Sequence, residues 1–277
     1  MAAPAGFELL RRPPAPMLTG VVHGLTGYRE TSPGRVAQRE ASPLLVPLII
    51  SLGSPFEIAF GREPGAADRQ PSFASGLHAG PVEIRSDGGA ECVQLDLTPL
   101  GAARLFGPVL PELSSRIVDI EALFGPAART LRERIGESAG WQERFDLIEG
   151  FVAARLRYRP SPGVAQAWRL LSRAGGDVRI AAVASEVGWS RKHLADRFRA
   201  ELGIGPKAAA RLLRFHRACR LARAGAGGWA GIAAACGYAD QPHLARDFAE
   251  LAGEAPTAWA GRLGALDPRL RPLAAEG

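Results

Sequence analysis

The sequence predicts an α+β protein, with a barrel of short strands first, connecting helices next and an all-α domain last. Three observations carry this. Residues 1 to about 97 are short apolar pieces separated by Gly and Pro. From Thr98 onward the spacing turns helical. And one short unit occurs twice, as "VASEVGWSRKHLADRF" (183–198) and "IAAACGYADQPHLARDF" (232–248). With 277 residues, 47% hydrophobic and 22% charged, the chain has a globular composition and room for two cores.

The strand candidates are "MLTGVVHG", "LLVPLIISLG", "FEIAFG", "PVEIRS" and "CVQLDL". In the last, Val93, Leu95 and Leu97 alternate with Gln94 and Asp96, the period of a half-buried strand. Many short strands between turn residues point to a barrel or sandwich. "TPLGAARLFG" (98–107) then opens with a Thr cap and Pro and closes on Gly107, so a helix is expected there. Residues 121–135 and 140–158 follow as helices, the second with Trp141, Phe145, Ile148 and Val152 on one stripe. That stripe reads as helix packing ahead of a ligand wall or dimer contact. "RPSPG" (159–163) is a breaker and marks a domain boundary. The expected division is 1–115 for the barrel, 116–160 for connecting or dimerisation helices, 161–264 for the all-α domain and 265–277 for a loose tail.

Charge divides the chain at the same place. Residues 160–277 hold 17 Arg and Lys against 10 Asp and Glu, whereas residues 1–159 hold 17 against 18. A basic half attracts polyanions, either nucleic acid or an anionic membrane face. The cysteines Cys92, Cys219 and Cys236 are odd in number and far apart, which fits small core residues in a reducing cytosol rather than a disulfide framework. The longest apolar run, 43–53, is too short for a bilayer and is broken by Pro47. Arg11-Arg12 leads into "PPAPM", so no export signal is expected and the predicted location is the cytoplasm, with no membrane partner.

The repeated unit has the layout of a helix-turn-helix. A helix over 180–187 carries the small Ala184, Gly188 frees the turn, and Ser190 caps a second helix. At about 100° per residue, Leu194 and Phe198 face the core. Lys192 and Asp196 project away, and Arg191, His193 and Arg197 flank them where DNA phosphates would lie. In the second copy Asp240 caps, Leu244 and Phe248 face inward, Arg246 projects outward and Gln241 lies at the exposed start. Arg and Gln suit bidentate contacts to guanine and adenine. The helix over 206–225, with Leu212, Phe215, Cys219 and Ala222 on one stripe, would hold two reading heads one DNA turn apart, about 34 Å.

Residues 165–263 resemble the DNA-binding domain of the AraC/XylS family of bacterial transcriptional regulators. The resemblance rests on "ASEVGWSRKHLADRFRAELGIGPK", on "IAAACGYADQPHLARDFAELAGEAPTAW", and on the endings Gly203–Pro206 and Gly253–Pro256. Position by position it implies base-reading roles for Lys192, Ala195, Asp196, Gln241, Pro242 and Arg246. Phosphate contacts are expected from Arg191, His193, Arg197 and His243. Ala195 and Pro242 offer only apolar contact, and Arg179 stands where a capping Ser or Thr is usual. Residues 18–160 resemble, less specifically, the cupin-like sensor domain and following helices of such regulators. That resemblance implies an effector site, with double-stranded DNA, a small-molecule effector, RNA polymerase and a second copy of the chain as candidate partners.

His23 and His78 lack the clustered His and carboxylate ligands of a cupin metal site, so no metal is expected. No catalytic constellation or cofactor motif is evident, and the expected protein is not an enzyme. The competing class is a cupin-type enzyme or small-molecule carrier with a helical appendage. Binding to the protein's own promoter region separates the two.

Overall fold

The computed structural model describes residues 6–32 and 34–265. Two antiparallel sheets form its first part. One has the order β1 (Phe7–Arg12), β2 (Val22–Glu30), β9 (Glu91–Leu97), β4 (Val46–Ser51), β7 (Ser72–Ser75), β10 (Ile117–Asp119). The other has the order β3 (Val36–Glu40), β8 (Val82–Ser86), β5 (Phe56–Phe60), β6 (Arg69–Gln70). The alternation expected in 92–97 sets both faces of β9. Val93, Leu95 and Leu97 are fully buried on one face, where Leu48 pairs with Leu95 and Ile50 with Val93. On the other face Cys92, beside Ile49 and Phe73, meets Phe56, Ile58 and Val82 of the second sheet. β1, β3, β6, β7 and β10 had no distinct sequence signal, being short or polar.

Helices cover the first sheet. α1 (Pro99–Phe106) starts where expected, with the Thr98 side chain accepting from the Gly101 N–H at 2.9 Å. A short α2 (Leu110–Leu113) follows. The single helix expected over 121–135 is two, α3 (Ile120–Phe124) and α4 (Pro126–Glu137). Gly125, at φ +59°, ends the first, and Pro126 starts the second without needing an N–H. α5 (Trp141–Ala153) stops short of residue 158. Beyond it the chain turns back along α1, where the Tyr158 N–H donates to the Arg104 carbonyl at 3.2 Å. Phe145, Ile148 and Val152 are completely buried, as the stripe predicts. Trp141 stacks on Phe145 at 6.4 Å and lies over Gly27, where any Cβ would collide with the indole.

The remaining chain is helical as expected: α6 (Pro162–Arg173), α7 (Ile180–Glu186), α8 (Arg191–Leu202), α9 (Pro206–Arg223), α10 (Trp229–Ala235), α11 (Gln241–Leu251) and α12 (Pro256–Ala265). The expected tail beyond Ala265 lies outside the described residues. The three cysteines are buried and free. Burial pushes the thiols of Cys92 and Cys219 up to about 12, which keeps them protonated. No helix among the described residues is long and apolar enough to cross a membrane.

The hydrophobic core does not divide at residue 160. One cluster runs from Leu48 and Leu95 of the sheet through Leu110 and Leu113 to Val183, Leu194, Phe198 and Leu202. A second, separate cluster holds Leu212, Phe215, Cys219, Leu244, Phe248 and Trp259. α9 serves both, giving Ala209, Ala210 and Leu213 to the first and Leu212, Phe215 and Cys219 to the second. The second core meets the β-domain at Ser42, which is wholly buried. Its N–H donates to the Leu251 carbonyl at the end of α11 (2.7 Å), and its carbonyl accepts from His216 Nε2 on α9 (2.8 Å). Its hydroxyl donates to the His78 carbonyl. Beside it Arg262 of α12 donates to the Arg39 carbonyl at 3.0 Å, and Arg39 to the Gly253 carbonyl at 3.3 Å.

Candidate nucleic-acid interface

The two repeated units fold alike. In the first, Gly188 takes φ +70° between α7 and α8, and the Ser190 side chain accepts from the His193 N–H at 3.1 Å. In the second, Gly237 takes φ +72° between α10 and α11, and Asp240 accepts from the His243 N–H at 2.7 Å. Both turns need the left-handed conformation that glycine adopts at little cost. Both histidines lie edge-on to an aromatic ring in the turn, His193 on Trp189 at 4.7 Å and His243 on Tyr238 at 5.1 Å. Arg179 makes no side-chain cap for α7.

The caps set the equivalences. Ser190 matches Asp240, so Arg191 matches Gln241, Lys192 matches Pro242, Ala195 matches Ala245, and Asp196 matches Arg246. Arg191 and Gln241 were expected in different roles, phosphate and base, yet they occupy the same first helical position. Leu194, Phe198, Leu244 and Phe248 are fully buried, as the helical phase requires. Arg191, Lys192, His193, Asp196 and Arg197 are exposed, as are Gln241, Pro242 and Arg246, while Ala195 and His243 are half-buried.

The exposed faces differ in how their charges are engaged. In α8, Lys192 Nζ is 2.9 Å from Asp196 Oδ2, and that hydrogen bond holds the Asp196 carboxyl below the usual range. The two polar groups expected to read bases in the first unit are therefore bound to each other. Arg197 pairs with Glu201 at 2.6 Å, and Glu201 also accepts from the Ser161 N–H (2.7 Å) and hydroxyl (2.9 Å) at the start of α6. The guanidinium placed for a phosphate is thus drawn toward a carboxylate. In α11, Arg246 makes only a long bond to the Pro242 carbonyl one turn back, at 3.4 Å. Among the described residues it has no ion-pair partner, unlike Lys192 in α8.

A network that the sequence reading missed supports α11 from behind. Asp247, 3% exposed, accepts from Arg211 Nε on α9 at 2.7 Å, and Arg211 also binds Glu250. Tyr238 Oη and Asp247 Oδ2 are both buried, the hydroxyl close to the carboxylate. Burial, then the Asp247 charge, raises the Tyr238 hydroxyl far above its ordinary range. Asp247 stands where the first unit has the exposed Arg197. An acidic residue directly before a core Phe was the available signal.

A family model described as a helix-turn-helix domain matches residues 183–262. No curated protein sequence matches the chain. Among solved structures, ToxT from Vibrio cholerae is 10% identical, over 94% of this chain and 98% of that one, with a TM-score of 0.50. An apo ToxT variant from the same organism is 11% identical over 90% and 99%, also with a TM-score of 0.50. A transcriptional regulator with an AraC-type DNA-binding domain, from Chromobacterium violaceum, is 24% identical over 36% of this chain and 91% of that one, with a TM-score of 0.35. The likeness to ToxT is one of fold, and it spans the β-domain as well as the helices.

Proposed function

We infer, from the helix-turn-helix match over residues 183–262 and the resemblance of its two motifs to the AraC/XylS family, that the chain is a DNA-binding transcriptional regulator. It inserts α8 and α11 into two successive major grooves of one duplex, and a small-molecule effector in the β-domain modulates this. The observation that supports the reading best is α9. It carries two equivalent capped units, packs into both of their cores, and so fixes one reading helix relative to the other.

Within this reading the two units have unequal roles. Arg246, with Gln241 at the open start of α11, is suited to read bases. The Lys192–Asp196 pair makes α8 the less discriminating helix, because each group must leave its partner before it meets a base. Arg191 and His193, with the exposed start of α8, contact phosphates.

The test uses the full chain and an operator selected from random duplexes. Arg246→Ala is expected to cost about 1–3 kcal/mol on the operator and to relax preference at one or two positions. Affinity for a scrambled duplex should hardly change. Equal loss on both duplexes would make Arg246 a phosphate contact and remove base reading from the second unit. Failure to select any operator would sink the regulator reading.

A further inference from the structure

The stretch between α5 and α6, "RLRYRPSPG" (155–163), holds three arginines and no acidic residue. Arg157 and Arg159 are exposed, and among the described residues none of the three arginines has an ion-pair partner. Arg155 lies over the Phe151 ring at 3.6 Å and donates to the Phe151 carbonyl at 3.1 Å. Burial, then the charge of Arg157, pulls the Arg155 guanidinium below its usual range. Two cations therefore repel each other here with no carboxylate paired to either.

The stretch is held at two points. The Tyr158 N–H donates to the Arg104 carbonyl of α1 at 3.2 Å, and the Tyr158 ring lies over Gly107, where any Cβ would collide with it. Three residues on, the Ser161 N–H and hydroxyl donate to Glu201 of α8 at 2.7 and 2.9 Å. Pro160 fixes its own φ and keeps Arg159 out of the helical region, and Pro162 does the same for Ser161. Arg157 and Arg159, on either side of the anchored Tyr158, therefore stand on a stiff backbone that loses little freedom on binding.

The anchor on α8 lies along one flank of that helix. Gly163 sits against the Trp189 indole, and Trp189 is edge-on to His193. His193, Arg197 and Glu201 follow one another at intervals of four, so they form a single stripe. The start of α6 runs beside this stripe, on the flank where phosphate contacts are expected from His193 and Arg197. At no more than about 3.5 Å per residue, the backbone of Arg159 lies within about 7 Å of Ser161 and that of Arg157 within about 14 Å. Arg197 has its charge drawn to Glu201, whereas Arg157 and Arg159 do not.

We propose that Arg157 and Arg159 make a third contact with the duplex, gripping the phosphate backbone beside the groove that α8 enters. The proposal rests on the reading of the chain as a DNA-binding regulator and adds a contact outside both helix-turn-helix units. Charge complementarity selects the partner. A guanidinium donates parallel N–H groups to phosphate oxygens, and a polyanion also relieves the repulsion between Arg155 and Arg157. Such a contact positions the protein without reading sequence. It supplements α8, whose Lys192 and Asp196 are bound to each other. Because Tyr158 is anchored on α1, the same grip fixes the β-domain relative to the bound duplex.

The experiment titrates the full chain on its selected operator and on a scrambled duplex, at about 50 and about 200 mM salt. The variant carrying both Arg157→Gln and Arg159→Gln should melt with the parent, since both side chains are exposed. Its affinity at the lower salt should fall at least about tenfold on both duplexes alike. Each phosphate contact adds about 0.9 to the salt slope, so the drop in affinity between the two salts should become about tenfold smaller. Arg35→Gln with Arg134→Gln removes the same charge from exposed positions of the β-domain and α4, and should keep the parent's salt dependence. If the double variant misfolds, each single variant decides, with a flattening of about threefold. An unchanged salt dependence, an equal flattening by the control pair, or a loss confined to the operator would overturn the proposal. Binding to phosphatidylglycerol vesicles that the double variant abolishes, with DNA affinity untouched, would overturn it in favour of a membrane surface. A double variant that binds its operator as the parent does keeps the regulator reading and loses this one, whereas a parent chain that binds no duplex loses both.

Discussion

Phe248→Ala should unfold the second helix-turn-helix unit while the first stays folded. Phe248 is completely buried and is the hub of three edge-on aromatic contacts, to Phe215 at 4.9 Å and to Trp229 and Trp259 at 5.4 Å each. Truncating a buried Phe costs about 3–5 kcal/mol. Three aromatic pairs, each worth about 0.5–1.5 kcal/mol beyond burial, place this site at the upper end. The second core is a separate cluster and small, so a loss of about 4–5 kcal/mol lowers its melting by roughly 15 °C or more. Phe198→Ala, the equivalent change in the first unit, removes a ring from the large cluster shared with the β-domain, and the same energy spread over that larger body shifts melting by only about 10 °C. Hydrogen exchange read by mass spectrometry, alongside calorimetry, distinguishes the two. Phe248→Ala should expose the amides of α10, α11 and α12 and leave α7 and α8 protected. Exchange that rises equally in both units, or one shared transition displaced equally by both variants, would refute the division of the core.

The other predictions concern charge. Asp247→Asn keeps the shape but removes the buried partner of Arg211, and chemical denaturation should show a loss of about 2–3 kcal/mol, reduced from the usual cost of breaking a buried pair because Glu250 remains. Asp196→Ala releases Lys192 and removes a carboxylate from the DNA-facing side, so affinity for scrambled DNA should rise; unchanged affinity would place this pair away from the DNA. His78 and His216 both have pKa values brought down to about 4, chiefly by burial, while the unfolded chain titrates near 6.5. Between those values the unfolded state binds more protons. Stability is therefore full above pH 6.5 and falls as the pH drops toward 4, by up to about 3 kcal/mol for His78. The variant with Gln at both positions should lose most of that slope in melts across the range.

The helical half was legible because its signals are local. Ser190, Gly188, Asp240 and Gly237 act on neighbours a few residues away, and the phase of Leu194 and Phe198 follows from helix geometry alone. The strands with apolar alternation, such as 92–97, were legible for the same reason. β3 was not, because Val36–Glu40 is an edge strand exposed throughout and has no apolar face to mark it. The break at Gly125 and Pro126 was written in the sequence, but the apolar spacing through 121–135 obscured it. Pairings across the chain left no local trace. Ser42 with Leu251 and Arg211 with Asp247 depend on how distant elements meet. At the candidate interface the outward direction of Lys192 and Asp196 was predictable, but their bond to each other was overlooked although they stand one turn apart.

Helix α9 is a strut of 18 residues, about 27 Å long, with side chains embedded in both cores. Under the proposed function it would convert the arrival of the second reading helix into an intramolecular event, at an effective concentration in the millimolar range set by tether length and not by how much protein the cell holds. Departure then takes place one foot at a time. A foot that lifts would be returned by the strut to the same groove before the other lets go, so that a single chain would keep a long residence on one operator even where each unit alone grips weakly.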